Sequence, residues 1–463
     1  MTEQVRGVDA RVVSFDVASL SRAIGGRLLR SGSGAPIRGG AVDSRRVEPG
    51  NIFFALPGER TDGHRFVADA VGHGAAALIV THDVSETEIG DAAVIQVDDS
   101  FFALHQAAAE WRNRFDPLVI GVTGSLAKTS TKEQIAEVLS ERCSVLRNEA
   151  NENNEIGLPL TMLRLGSEHE VAVLEMGMYQ PGDIAQLATL ARPSIGVVTA
   201  VRGTHVARAG SIDEIERGKR ELVEALPAGG TAVLNADDTR VARMSGHTAD
   251  GVDVVTYGFA EAADVRAEYV ASGGFDGMFF QLRANNDSID VTMPALGRHS
   301  VHNGLAAAAV GIAAGMDLVT IARGLGRPWS APHRTTVVRY GPILVLDDSY
   351  NAGPDSMIAA LDLLESFETV ERRVAILGEM LELGEASAEE HRRIERYARH
   401  AADVVYAVGP YEHAEDRERL MREIGDRLRP DDLVLIKGSR GAAMEEFLPV
   451  IEEAAKRMKM TVA

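Results

Sequence analysis

A run of β-branched and apolar residues, Leu118 to Thr123 (LVIGVT), gives way to Gly124-Ser125-Leu126-Ala127-Lys128-Thr129 and then to a helical pattern. A phosphate-binding loop has this layout, because backbone N–H groups at a helix start cradle anionic oxygens. The lysine brings positive charge to the β- and γ-phosphates, and the hydroxyl after it is placed to bind Mg2+. Against the general pattern GxxxxGK[ST], Val122 and Ala127 stand at the two glycine positions. A nucleotide site and an ordinary strand–turn–helix with a surface lysine both fit this string. Asn151, Asn153 and Asn154 are amides suited to a polar substrate, or members of an asparagine-rich turn. Glu175 ends an apolar run, VAVLE. Its carboxylate suits Mg2+, which prefers oxygen ligands and keeps several waters, or it is a strand-end charge in water. His205, taken alone, is a loop histidine as readily as a ligand. Lys219, in IDEIERGKRELVEAL, reads by itself as a solvated lysine on a charged helix.

The elements that must hold these groups alternate in type. LVIGVT at 118–123, VAVLEMG at 171–177 and IGVVTAV at 195–201 read as buried strands. Amphipathic stretches follow them: Thr129 to Leu139, about Asp183 to Ala191, and about Ile212 to Leu226. Such alternation implies crossover connections and a mostly parallel sheet. Glu175 and His205 then lie beyond the carboxyl ends of strands, where open α/β sheets bind ligands. From about Val252 to Pro294 the segments are glycine-punctuated and alternating, which predicts an antiparallel excursion. An alanine-rich helix, Asn303 to Ala314, precedes Arg327-Pro328-Trp329-Ser330-Ala331-Pro332, a proline-bearing boundary. A new αβ series follows: ILVLDDSY, a helix from Pro354 to about Phe367, VAILGE, a charged helix from Ser387, VVYAVG, VLIKGS, and a last helix over about Ala442–Met458. The first ~115 residues form a separate small α/β unit, as length alone makes several domains natural. The reading is three domains: 1–115, 116–327 and 328–463.

Composition bounds the function. The formal charge of −20 argues against a general nucleic-acid binder, which carries a basic footprint. The single cysteine, Cys143, excludes an internal disulfide and any cysteine-based metal cluster. No apolar stretch near the amino terminus resembles a signal, and no run of eighteen apolar residues occurs. The expectation is a cytoplasmic protein with no membrane insertion.

The segment GVTGSLAKTSTKE resembles the phosphate loop of the Mur ligase family, whose first glycine stands one residue earlier than in the general pattern. Gly121, Thr123, Gly124, Lys128 and Thr129 fit that version. Ala127 departs from it, and alanine in a left-handed conformation costs roughly 1–2 kcal/mol if the loop requires that geometry. NENNEIGLPLTML, LEMGMYQPGDI, VRGTHVARAGS, GRHSVHNGLAAAAVG, APHRTTVV and DDSYNAGPDSM are similar, in order, to further segments of the family. AVDSRRVEPGNIFFALPGERTDGHRFVADAVGHGAAALIV resembles the UDP-binding domain of the branch that adds D-alanyl-D-alanine.

The resemblance implies an α/β, three-domain Mur ligase architecture, with a central P-loop-type parallel-sheet domain and a Rossmann-like C-terminal domain. It implies a monomeric, ATP-dependent amide ligase using ATP and Mg2+, with UDP-N-acetylmuramoyl-tripeptide and D-alanyl-D-alanine as partners. Carried over residue by residue, Gly124, Ser125, Leu126, Ala127, Lys128, Thr129 and Ser130 form the phosphate loop and Asn303 contacts adenine. Arg334 reaches the phosphates and Asp348 the ribose, while Tyr350 and Asn351 complete the pocket. Thr129, Glu175, His205 and Lys219 serve the metal, the lysine as a carbamate. Lys128, His205, Lys219 and Arg334 are the catalytic set. Ser44, Arg45, Asp62, Gly63 and His64 hold the UDP end, and Asn151, Asn153 and Asn154 the substrate nearer the reaction. LGEMLELGEASAEEH and LIKGSRGAAMEEF resemble the regions that accept the dipeptide. Departures stand at Ala127, Ala200, Arg202, Ala207 and Gly353. Two alternatives stay open: a ligase of the same kind with other carboxylate and amine partners, and a non-catalytic nucleotide- or UDP-sugar-binding descendant.

Overall fold

The computed structural model describes residues 13–58, 61–203, 210–329 and 331–462. His205 and Ala207 lie outside the described residues. The chain divides into two compact units. The first comprises Met1–Val119, Cys143–Met176 and Gln186–Arg192; the second comprises Ile120–Arg142, Gly177–Ala185 and Pro193–Ala463.

In the first unit, β1 (Arg27–Arg30), β2 (Gly40–Ala41), β3 (Ile52–Phe54), β4 (Ala77–Val80) and β5 (Ala93–Gln96) form a five-stranded sheet in the order β1-β5-β4-β3-β2. Only β1 runs antiparallel; β2 to β5 are parallel, and β3 and β4 are wholly buried. That burial is why they read as unbroken apolar runs. The helix Ser100–Arg112 is started by Asp99, whose carboxylate accepts from the N–H groups of Phe101 and Phe102. It buries Ala103, Leu104, Ala107, Ala108 and Trp111, a helical stripe. After β6 (Leu118–Thr123), the chain returns to this unit with β7 (Val145–Arg147) and β8 (Val171–Glu175), which pair in parallel.

In the second unit, β6 pairs in parallel with β9 (Ile195–Val198), β9 with β10 (Thr231–Asn235), and β10 with β11 (Asp253–Gly258). β12 (Val265–Ser272), β13 (Met278–Ala284) and β14 (Asp287–Met293) complete the order β14-β13-β12-β11-β10-β9-β6. The expected antiparallel excursion is real but starts later than about Val252. β11 is still parallel to β10, β12 is parallel to β11, and antiparallel pairing begins between β12 and β13. The alanine-rich helix begins earlier than Asn303, running Arg298–Ala313, and Ala306 to Ala309 are buried.

Five more strands form the last sheet: β15 (Thr336–Tyr340), β16 (Ile343–Asp348), β17 (Arg372–Leu377), β18 (Val404–Ala407) and β19 (Asp432–Lys437), ordered β15-β16-β19-β17-β18. Alternate residues serve its two faces. Leu346, Ala375, Leu377, Leu433 and Leu435 belong to one core, and Val345, Val374, Ile376, Val434 and Ile436 to the other. The edge strand β15 runs antiparallel to β16, and the other four strands are parallel; a mostly parallel sheet clad on both faces is the doubly wound arrangement. The final helix is Phe447–Val462, not Ala442–Met458. Two short 3-10 turns, joined at Ala443 with φ of 47°, occupy the start of the expected helix, since a left-handed residue interrupts a right-handed one.

Candidate active site

In the second unit β6 ends at Thr123 and the phosphate loop turns on Gly124, whose φ is 153°. A Cβ there would meet the Thr199 hydroxyl at 1.8 Å, so only glycine fits. The loop is held by the strand end beside it. The Ser125 N–H donates to the Ala200 carbonyl at 2.7 Å, and the Thr199 hydroxyl to the Leu126 carbonyl at 2.6 Å. The Ser125 hydroxyl and the Arg202 backbone exchange bonds of 2.9 and 3.1 Å. The Lys128 ammonium folds back over the loop and donates to the Gly124 carbonyl at 2.8 Å. The helix Lys128–Leu139 follows, and no side chain caps its start. A helix start of this kind is where backbone N–H groups receive an anion.

Ala127 sits at that cap with φ of 62° and ψ of 6°. The left-handed geometry is thus required, and the alanine bears its strain. Ala127→Gly removes a penalty of roughly 1–2 kcal/mol and restores some unfolded-chain entropy, about 0.4–1 kcal/mol. The expected result is a rise of about 2–4 °C in the thermal midpoint of the transition that includes this loop, with nucleotide affinity retained. A fall measured by calorimetry would show the loop to be relaxed with alanine.

Lys219 lies on the helix Ile212–Glu224, begun by the Ser211 hydroxyl accepting from the Glu214 N–H. The charged look of this helix misleads. Ile215, Gly218, Lys219, Leu222 and Val223 share the buried stripe, and Lys219 is 4% exposed. Burial, and after it the charge of Lys128, pushes the Lys219 amine well below the ordinary lysine range. The two candidate lysines are brought together.

A second cluster lies at the carboxyl ends of β16 and β19. Asp348 pairs with the Lys437 ammonium, which also donates to the Asn351 carbonyl at 3.0 Å. The Thr335 N–H donates to Asp348 at 3.0 Å. The Arg334 guanidinium lies 4.0 Å from the centre of the Tyr350 ring. His333 and Thr335, flanking Arg334, have φ of 61° and 50°. For a β-branched threonine this is strain, opposed by the two bonds that its N–H and hydroxyl make to Asp348. Beside this segment is a cavity of about 290 Å3, lined among others by Ser130, Asn303 and Arg334. Asn303 is buried, and its amide oxygen accepts from the Thr131 hydroxyl at 3.3 Å. The cavity thus joins the phosphate-loop helix, Asn303 and the Arg334 segment.

In the first unit, the Asn153 amide donates to the Glu175 carboxylate at 2.7 Å. Asn148 binds the Glu175 backbone in both directions, at 2.9 and 3.0 Å, and so fixes the strand end. Asn154 accepts from the Gly157 N–H at 2.9 Å and starts the helix Gly157–Leu163, a structural task, while Asn151 is exposed. At the end of β2, Asp43 takes the Arg45 guanidinium and N–H, and these hold its carboxyl below the usual range; Ser44 is buried. The Asp62 carboxylate, likewise lowered, accepts from the His64 backbone and ring Nδ1, and His64 Nε2 accepts from the Thr81 N–H at 2.9 Å. Gly63 between them lies too close to Leu56 for any side chain. Asp62, His64 and His82 form, among the described residues, the one group spaced to share a metal ion. Both nitrogens of His64 are already engaged, so this group is a hydrogen-bonded loop.

Comparison with known proteins decides the family. Residues 36–114 match the model for the Mur ligase family catalytic domain, 122–311 the Mur ligase middle domain, and 333–440 the Mur ligase glutamate ligase domain. The UDP-N-acetylmuramoyl-tripeptide–D-alanyl-D-alanine ligase of Escherichia coli K12 is 33% identical, over 96% of this chain and 99% of its own length. The chain belongs to the Mur ligase family. A crystal structure of MurF from Acinetobacter baumannii superposes with a TM-score of 0.85 at 29% identity, covering 96% of this chain and all of that one. MurF ligase from Thermotoga maritima, solved in complex with ADP, gives 0.79 at 27% identity over 91% of this chain and 98% of that one.

The departures of this Mur ligase from its family's pattern have local explanations. Ala200 contributes its backbone carbonyl, which any residue supplies. Arg202 pairs with Asp238 and, through Nε at 3.1 Å, with Asp355 on the helix Pro354–Glu365. Gly353 caps that helix through its backbone, bonded at 3.0 and 2.9 Å to the Ser356 hydroxyl. Lys437, Asn148 and Thr199 escaped the sequence reading as single residues. Lys437 alone carried a signal, a cation ending the strand in VLIKGS. Among the described residues no helix is long and apolar enough to cross a membrane.

Proposed function

We propose that this chain is an ATP-dependent amide ligase that joins D-alanyl-D-alanine to UDP-N-acetylmuramoyl-tripeptide in peptidoglycan precursor synthesis. The observation that carries the reading is the phosphate loop with Lys128 over it and Lys219 buried beside it, in a chain similar along its whole length to ligases of that name. The domains would be 1–115 for the UDP end, 116–327 for ATP and 328–463 for the incoming dipeptide.

The terminal carboxylate of the tripeptide attacks the γ-phosphorus, ADP leaves, and an acyl phosphate results. The free amine of the dipeptide then attacks that carbonyl; phosphate leaves and the amine proton is lost. Carboxylate oxygen is a poor leaving group, which is why a nucleotide is consumed. The loop Gly124 to Ser130 holds the phosphates through its N–H groups other than that of Ser125, which stays on Ala200, and Lys128 and Arg334 stabilise charge on the transferring group. Asn303 takes the base and Asp348 the ribose, with Tyr350 and Asn351 beside it. Asp348 must exchange part of its bond to Lys437 for the sugar. Ser44, Arg45, Asp62, Gly63 and His64 take the UDP end, and Asn151, Asn153 and Asn154 the peptide side. Excluding water protects the acyl phosphate.

By resemblance Thr129, Glu175, His205 and Lys219 would serve the metal; the hydroxyl and the carboxylate are oxygen donors of the kind Mg2+ takes, and the lysine is one only after a change of charge. The depressed Lys219 amine gives up its proton more readily than an ordinary lysine, as adding CO2 requires, and the carbamate would be an anion next to Lys128. Mg2+ bound there would supply Lewis-acid stabilisation of the phosphoryl oxygens.

The test is phosphate release by purified protein with Mg-ATP, the UDP-tripeptide, D-alanyl-D-alanine and bicarbonate, with product mass measured. Release that needs every component, and a UDP-pentapeptide mass, supports the reading. Folded protein that releases no phosphate and forms no product overturns it. Turnover with a different amine alone would favour the ligase of other partners.

A further inference from the structure

Trp329 stands in the segment between the middle and last domains, and its indole lines the 290 Å3 cavity together with Ser130 and Asn303. Its N–H donates to the Gln134 side-chain oxygen at 2.7 Å. Gln134 is 1% exposed, on the helix that starts at the phosphate loop. The indole can only donate, so the amide must turn its oxygen toward it. The Gln134 amide nitrogen is then left buried without a partner among the described residues. An unpaired buried amide is unfavourable, and an apolar residue at 134 would avoid it. What the glutamine supplies in return is the fixed plane of Trp329. Ser130 is two residues past Lys128, so the cavity begins within one helical turn of the N–H groups that face the phosphates. Its other walls include Phe275, Leu296 and Pro294.

A cavity lined by apolar and polar residues, with two aromatic ones, Trp329 and Phe275, at this distance from a phosphate site, suits a purine. We propose that Trp329 is the nucleobase wall of this site, a specificity-determining residue against which the purine lies, and that Gln134 is its positioning residue. The proposal rests on nucleotide use as read above. It also makes base affinity depend on where the 328–335 segment lies, because the wall belongs to that segment.

The chain has two tryptophans, so Trp111→Phe leaves Trp329 as the sole indole reporter. Titration with Mg-ADP is expected to change its emission, saturating with the midpoint found by calorimetry. Trp329→Ala is expected to raise KM for ATP roughly 5- to 100-fold, the range for losing one base–aromatic stack, with kcat at saturating ATP and KM for the UDP-tripeptide little changed. Trp329→Phe restores most of the loss, and Gln134→Leu shifts the emission and raises the same KM by a smaller factor. If calorimetry shows Mg-ADP bound while the emission is unmoved and the alanine variant keeps its KM, the inference is wrong and the ligase reading stands. If the unaltered chain binds no Mg-ADP and releases no phosphate, both fall.

Discussion

Lys219→Met is expected to abolish ligation and, at neutral pH, to raise the thermal stability of the protein. Methionine matches the length of the lysine stem and places no charge in the core. Near pH 7 the parent protein keeps a lysine whose charged form is disfavoured by burial and by Lys128. The sign follows from proton binding. The folded-state value is lowered from 10.5, so between that lowered value and 10.5 the unfolded chain holds a proton that the folded chain does not. Stability therefore rises with pH across this window, and the destabilisation is fully present below it. The methionine variant should show its largest gain in thermal midpoint below the lowered value, shrinking as pH rises from there toward the ordinary lysine range. Turnover should fall at least roughly 10²-fold, the loss typical of removing one group that stabilises transition-state charge. Bicarbonate adds a further distinction. If the carbamate forms, bicarbonate should stabilise and activate the parent by mass action and leave Lys219→Met unaffected. A methionine variant that is less stable at pH 7, or that keeps parental turnover, would show Lys219 to be a packing residue.

The legible parts of this molecule were those written in consecutive residues. LVIGVTGSLAKTS carries its strand, its turn and its helix start in one string, and the loop folds accordingly. Four strands of the last sheet were readable for the same reason, each a short apolar run bounded by turns; the half-exposed edge strand β15 carried no such run. Lys219 shows a signal present but outweighed. Its helix carries eight charged residues from Asp213 to Glu224, Lys219 among them, so composition suggested solvent. The spacing of Ile215, Gly218, Leu222 and Val223 nonetheless puts residue 219 on the apolar side. β11 was misread because its pairing with β10 depends on a partner some twenty residues away, and the strand's own residues fit either direction. The 290 Å3 cavity had no local signature at all. It is assembled from Ser130, Phe275, residues between 294 and 303, Pro328 and Trp329, and Arg334 to Val337, and only the fold brings those together. Resemblance supplied Asn303 and Arg334, which local chemistry alone would have left as a core amide and a surface arginine.

Lys128→Ala and Lys128→Arg are expected to separate two roles of one ammonium group. Alanine removes both the bond to the Gly124 carbonyl and the positive charge over the loop. The loop should keep its path, because Ser125, Leu126 and the Thr199 hydroxyl hold it by bonds that do not involve Lys128. Turnover should fall roughly 10²- to 10³-fold, while KM for the UDP-tripeptide stays near the parental value. The second role concerns Lys219. Lys128 is the charge that, after burial, lowers the Lys219 amine. Without it that amine moves back up, remains protonated to higher pH, and adds CO2 less readily. The pH at which bicarbonate begins to stabilise the protein should therefore shift upward in the alanine variant. Arginine retains the charge but spreads it over a planar fork that cannot reproduce a compact ammonium at the loop mouth. It should keep the bicarbonate response near the parental pH and still lose most of the turnover. Equal shifts of that response in both variants would mean that Lys128 acts on Lys219 through packing, and the electrostatic link between the two lysines would have to be abandoned.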